Sequence, residues 1–263
     1  MPVYKAEAII LRQQPLGEAD RIVTLFTREY GKLRAAARGI RRPTSRLGGR
    51  IEPFTHARLL LARGRAMDVI AQADIVSAFA RVRGNLLRSA YAAYVMELVD
   101  RGLPERDSHV EVFALLRDTL AELARAREED VELPALRFAL RLTDLLGYRP
   151  ETAGCVECGR PLPRTRGAAE SWAFSPARGG ALCPVCRKED PEAMGVSPGI
   201  LATLDYLIRL RPDRPTRLHL TQAQRGDVAR LVQAHLEYRL EAKLRAPGVI
   251  RHLRAPREAS APR

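Results

Sequence analysis

The segment AEAIILRQQPLGEADRIVTLFTREYGKLRAAARG, residues 6–39, decides the fold of the N-terminal third. Its apolar residues fall in short runs, at Ala6–Arg12, Arg21–Thr27 and Lys32–Ala37, and turn formers separate them. Runs of this length, rich in Val, Ile, Leu and Phe, suit strands and are too short for helices. Arg28, Glu29, Tyr30 and Gly31 stand between the second and third runs, where a short hairpin loop needs one residue at positive φ and Gly supplies it without steric cost. Two more runs follow, Ala57–Ala62 and Met67–Ile75. Five strands in so short a span predict a small β domain, and closure into a barrel would remove its exposed edges. Periodicity alone supports the β domain more strongly than any one barrel.

From Asn85 the period changes. Leu87, Tyr91, Tyr94, Val95, Leu98 and Val99 recur at steps of three and four, the pattern of one helical face. Val110–Ala126 and Pro134–Leu146 repeat it, the latter with Pro134 in its first turn and Gly147 just past its end. Ser197 and Pro198 read as N-cap and first residue of a helix. Thr221 with Gln224 reads as a capping box before a helix reaching about Leu244. The tail APREASAPR reads as frayed. The fold class is therefore α+β, with a β domain over 1–83 and a helical domain over 84–263, interrupted by a cysteine-bearing insertion over 150–192.

A hydrophobic fraction of 46% with 29% charged residues describes a globular chain rather than a disordered one. No run of about 18 apolar residues appears, and MPVYKAEAII lacks the regions of a secretory signal, so a cytoplasmic location without membrane contact is expected. The net charge of +13 calls for a polyanionic partner. Only four of the 44 basic residues are lysine, and such arginine enrichment also arises from genome composition, so distribution has to decide. Residues 1–83 carry a net +9, whereas residues 84–154 carry a net −4. Within the first region, Lys32, Arg34, Arg38, Arg41, Arg42, Arg46 and Arg50 meet no acid between positions 31 and 50. The stretch RGIRRPTSRLGGR, residues 38–50, is too rich in Gly, Pro and Ser for a strand, and we expect a mobile loop whose guanidinium groups follow a phosphate backbone. Tyr4, Phe26, Tyr30 and Phe54 are the aromatic residues available for stacking on bases, although Phe26 reads better as core.

All four cysteines form two C-x-x-C pairs, Cys155 with Cys158 and Cys183 with Cys186, separated by 24 residues. Two such knuckles together supply the closed S4 shell that one structural zinc ion accepts. Gly159 and Pro184 suit the knuckle turns. A redox dithiol would require a thioredoxin-like βαβ setting, which is absent, and four thiolates leave zinc no open position for catalytic water.

Catalytic patterns are missing. Gly31-Lys32 is followed by Leu33 and lacks the upstream Gly of a phosphate loop, no paired carboxylates accompany the basic residues, and His56, His109, His219, His235 and His252 are isolated. The sequence is thus expected to encode a DNA-binding protein without an active site or small-molecule substrate. A zinc-ribbon adaptor and a nucleic-acid-processing enzyme are the competing readings.

Several separated segments, in this order, resemble the DNA repair protein RecO family. They are EAIILRQQPLGEADRIVTLFTREYGKLRAAARGIRRPTSRLGG from Glu7, IEPFTHARLLLARGR from Ile51 and YAAYVMELVDRGLPE from Tyr91, then LLGYRPETAGCVECGR from Leu145, FSPARGGALCPVC from Phe174 and VSPGILATLDYL from Val196. The resemblance implies an N-terminal OB-fold barrel followed by an α-helical domain with an inserted zinc finger. It also implies binding of single- and double-stranded DNA and ATP-independent annealing of complementary strands. The partners it implies are RecR, with which the protein helps load RecA, and the C-terminal tail of the single-strand binding protein. A cytoplasmic, nucleoid-associated protein follows from the same resemblance.

Overall fold

The computed structural model describes residues 2–43, 45–163, 171–210 and 218–254. Five strands, β1 (Val3–Leu16), β2 (Asp20–Thr27), β3 (Gly31–Ala37), β4 (His56–Ala62) and β5 (Asp68–Ser77), close into a barrel in the order β1-β2-β3-β5-β4. Neighbours are antiparallel except β3 and β5, which pair in parallel over Ala35↔Asp68 and Ala36↔Val69 only. The strands lie where the apolar runs predict them, with β1 longer at both ends. A register shift between Ile10 and Arg12 lets β1 bend and serve two partners, β4 along its first half and β2 along its second. Side chains alternate across each strand, so Ala6, Ala8 and Ile10 of β1 join Val23, Leu25, Leu33, Leu59 and Leu61 inside the barrel. The many alanines leave room for so small a barrel to close.

Ile9, Leu11 and Phe26 point the other way and are nevertheless buried. The helical segments α1 (Ala80–Arg83), α2 (Leu86–Gly102) and α3 (Val110–Arg125) belong to the same compact unit as the barrel, and Phe113 of α3 meets the ring of Phe26 at 6.0 Å and that of His56 at 5.8 Å. Asn85 caps α2 by accepting the Arg88 N–H at 3.0 Å. A last helix, α7 (Ala246–Arg254), packs on α2. The Glu97 carboxylate fixes its start by accepting the N–H groups of Arg245 and Ala246 at 2.9 Å each. One compact unit therefore takes the chain to Val131 and resumes at Arg245, while the other is Glu132–Leu244. The boundary read near residue 83 marks the change from strand to helix, and compactness continues past it through α3.

The second unit contains α4 (Glu132–Leu145), α5 (Pro198–Arg209) and α6 (Gln222–Arg239), with a small sheet of β6 (Trp172–Ser175), β7 (Gly180–Leu182) and β8 (Met194–Val196) in the order β7-β6-β8. The caps are as the sequence predicts. Ser197 accepts the Ile200 N–H, and Thr221 with Gln224 forms the full capping box. The α6 helix stops at Arg239, short of the expected Leu244. Trp172 and Phe174 are buried, and the Phe174 ring lies 5.8 Å from that of His235 on α6. The APREASAPR tail lies outside the described residues.

Candidate metal centre and nucleic-acid interface

The first cysteine knuckle is closed by Gly159, whose N–H donates to the Cys155 carbonyl at 2.9 Å and whose φ of +73° suits glycine. Its Val156 N–H donates to the Ala181 carbonyl, which ties the knuckle to β7. The second knuckle starts where β7 ends, and the Arg187 N–H closes it on the Cys183 carbonyl at 3.0 Å. These backbone bonds bring all four sulfurs within 4.8 Å of one another. The Cys158 and Cys183 Sγ atoms stand 3.8 Å apart, which is no disulfide and agrees with the edge of about 3.8 Å expected when four sulfurs surround an ion at about 2.3 Å.

The electrostatics favour the anionic ligand form on the buried side of this cluster. Burial alone would raise the Cys155 thiol, but hydrogen bonds from the backbone of Cys183, Cys158 and Glu157 outweigh it and bring it down to about 6. Cys183 is lowered in the same way by the backbone of Cys186 and Val185. Cys186 is pushed up, chiefly through its hydrogen bond with Cys183, because four sulfurs this close cannot all be anionic without a cation. The residues fit a closed four-sulfur metal site.

The basic loop lies across one end of the barrel. Its apolar residues Ile40 and Leu47, with Ile51 just after it, enter the barrel core. The Asp20 carboxylate accepts the Gly39 N–H at 2.7 Å, and the Ala19 carbonyl accepts the Arg41 N–H at 3.2 Å. The expected mobile loop is therefore a pinned one, because every few residues an apolar side chain or a hydrogen bond anchors it. Arg38, Arg41, Arg42 and Arg46 stay exposed, and none pairs with a carboxylate among the described residues.

The Arg41 guanidinium donates to the Glu18 backbone carbonyl at 3.1 Å. The other three basic residues singled out in the sequence are engaged as well. Lys32 is 8% exposed, and its ammonium donates to the Asp100 backbone carbonyl and lies 3.5 Å from the Asp100 carboxylate. Arg34 meets Glu105 at 3.0 Å, and Arg50 donates to the Ala73 carbonyl at 3.0 Å and approaches Asp74 at 3.4 Å. Phe26 is fully buried, as expected. Tyr4 is half-buried, donates to the buried Asp68 carboxylate at 2.7 Å and carries Arg63 over its ring, while Tyr30 is exposed and meets Tyr4 edge-on. His56 bonds to Glu7 at 2.8 Å, and His235 to the Tyr148 carbonyl at 2.8 Å.

Sequence reasoning missed Arg21, Arg101 and Arg245, which line a cleft of about 870 Å³ with Arg12 and Phe54. Arg21 lay inside a strand, and the other two lay in segments whose local charge balance gave no signal.

Two family models cover most of the chain, the recombination protein O N-terminal model over residues 1–79 and the recombination protein O C-terminal model over residues 83–247. The chain is 37% identical to the DNA repair protein RecO of Symbiobacterium thermophilum over 98% of its own length and 100% of that protein's. The DNA repair protein RecO of Heliobacterium modesticaldum is 38% identical, with 95% of this chain and 90% of the relative covered. That of Roseiflexus sp. is 37% identical over 99% of this chain and 89% of the relative. With the α+β architecture, the four-cysteine cluster and both halves of the sequence in agreement, this chain belongs to the recombination protein O family of DNA repair proteins.

Proposed function

We propose that this protein is a recombination mediator without catalytic chemistry of its own, which holds DNA on the loop over the barrel end and anneals complementary strands without ATP. The observation that carries the reading is the set Arg38, Arg41, Arg42 and Arg46, exposed, unpaired with acids among the described residues and fixed on a pinned loop. Guanidinium groups in such a row neutralise successive phosphates and release counterions, which lowers the repulsion between two strands. Phosphate contacts of this kind leave base edges free to pair. The strand order and the short parallel seam between β3 and β5 support an OB-fold, a barrel that commonly binds polynucleotides. Both single- and double-stranded DNA are partners on this reading, with Arg34 and Arg50 at the margins of the patch and Lys32 as its structural floor.

Cys155, Cys158, Cys183 and Cys186 would hold one zinc ion per chain, as a finger inserted in the helical part. A zinc ion in four thiolates supplies a cross-link and no reactive position. Family membership supports action with RecR in loading RecA, and binding of the single-strand binding protein's C-terminal tail, in the cytoplasm at the nucleoid. Among the described residues no helix is long and apolar enough to cross a membrane.

Mixing complementary labelled strands tests the annealing. The purified protein should accelerate pairing in the absence of any nucleotide. A strict requirement for ATP, or cleavage of the strands, would sink the reading.

A further inference from the structure

The cleft beside β1 lies between Arg12 and Arg21 of the barrel and Arg101 and Arg245 of the helical layer in the same compact unit. It also contains four acids, and three of them are already engaged. Asp100 lies 2.7 Å from the Arg12 guanidinium and 3.5 Å from the Lys32 ammonium. Glu105 is paired with Arg34 at 3.0 Å. Glu97 is held by the first N–H groups of α7, whose positive helix end offsets its charge. Arg21 donates to the neutral Gln13 side chain at 3.0 Å, and the guanidinium groups of Arg21, Arg101 and Arg245 form no ion pair with a carboxylate among the described residues. Five cations and four acids line the cleft, a formal excess of one positive charge, and Arg34 from outside the lining pairs with one of those acids, Glu105.

Phe54 lies in the same cleft, half-buried, at φ +72°. A bulky side chain at positive φ costs energy, and the Phe54 N–H bond to the Ile10 carbonyl at 2.9 Å helps hold it there. Arg21 joins the cleft to the basic loop. It pairs in register with Ala37, next to Arg38, and the neighbouring Asp20 anchors Gly39.

We propose that this cleft is the continuation of the DNA path. A single strand held by Arg38, Arg41, Arg42 and Arg46 runs past Arg21, its phosphates meet Arg101 and Arg245, and one base stacks on Phe54. The proposal rests on the DNA-binding reading above and adds to it a site on α2 and at the start of α7. Charge excess selects a polyanion, and an aromatic face beside it selects one with unpaired bases.

The test uses the full chain and an oligothymidylate carrying one 2-aminopurine. Changing Arg101→Ala and Arg245→Ala together removes two exposed side chains and should leave the melting temperature unchanged. It should lower the salt slope of single-strand binding by about 1.4. Phe54→Leu should weaken binding about tenfold and abolish quenching of the stacked 2-aminopurine, and Phe54→Tyr should restore both. A wild-type slope in the arginine double variant, or quenching that survives in Phe54→Leu, overturns the proposal, as it would if the cleft received a protein segment instead. A loop variant that lowers the slope in the same series would keep the DNA-binding reading intact. Failure of the wild-type protein to bind any strand would remove both.

Discussion

A methyl group added to Gly31 would overlap the backbone carbonyl of Asp107, in the connection between α2 and α3, and Gly31 itself sits at φ +66°. Both demands act on one atom position. Gly31→Ala should therefore cost about 2 kcal/mol or more in chemical denaturation, and a loss within error would mean that the Asp107 connection is not seated as described. The positive φ was legible in the EYGK hairpin, but the Asp107 contact was not, because nothing near Gly31 in sequence points to a residue so far along the chain. Lys32 shows the same limit, since a lysine amid arginines reads as part of a charged patch until Asp100 is found beside it. At His235 the ring is buried and its Nδ1 atom has no hydrogen-bond partner, so burial lowers its pKa below the ordinary 6.5, with Arg239 adding to the effect. The unfolded chain then binds the proton first as pH falls. Stability from this group is complete above about pH 6.5 and declines below it, with a slope of at most about 1.4 kcal/mol per pH unit. His235→Gln keeps a donor for the Tyr148 carbonyl and removes the titration. Denaturation at several pH values should show the wild type losing stability faster than the variant below pH 6.5, and parallel curves would contradict the assignment.

Among elements, the cysteine knuckles are the most local in construction. Each closes through one backbone bond within a few residues, at Gly159 and at Arg187, and this is why spacing alone revealed them. The prediction is one zinc per chain by metal analysis, falling to none when Cys155→Ser and Cys158→Ser are combined. Melting should drop around β6–β8 before the helices unfold. Stoichiometric zinc surviving in the double variant would contradict the four-sulfur site. The sheet that the site supports escaped the sequence reading. Its strands are three or four residues long, too short for an alternating pattern to be distinguished from a loop. Helix starts were legible for the opposite reason, because Ser197 and Thr221 cap through bonds to residues three positions on. The basic loop was placed correctly and given the wrong mechanics. Ile40 and Leu47 look like isolated apolar residues in a polar stretch, and only the barrel shows that they are its anchors.

At the level of the whole molecule, the charge pattern survives translation into three dimensions in reduced form. The β-rich third carries the excess of arginine that its sequence promised, but Asp100, Glu105 and Asp74 from distant segments engage Lys32, Arg34 and Arg50. Of the seven basic residues between positions 31 and 50, four arginines remain exposed with no carboxylate partner among the described residues. The return of the chain at Arg245 to pack α7 on α2 was not legible, since the acceptor, Glu97, lies in a helix whose exposed face carries other charges equally well. The central claim is that Arg38, Arg41, Arg42 and Arg46 bind the DNA phosphates, and it is tested most directly by the salt dependence of single-strand binding in the variant with all four changed to Ala. The side chains are exposed, so folding stability should stay within about 0.5 kcal/mol of the wild type. The slope of log affinity against log salt should fall by about 0.7 for each phosphate no longer neutralised, or about 3 if every one of these arginines neutralises one. A variant that folds normally and keeps the wild-type affinity and slope would contradict the account.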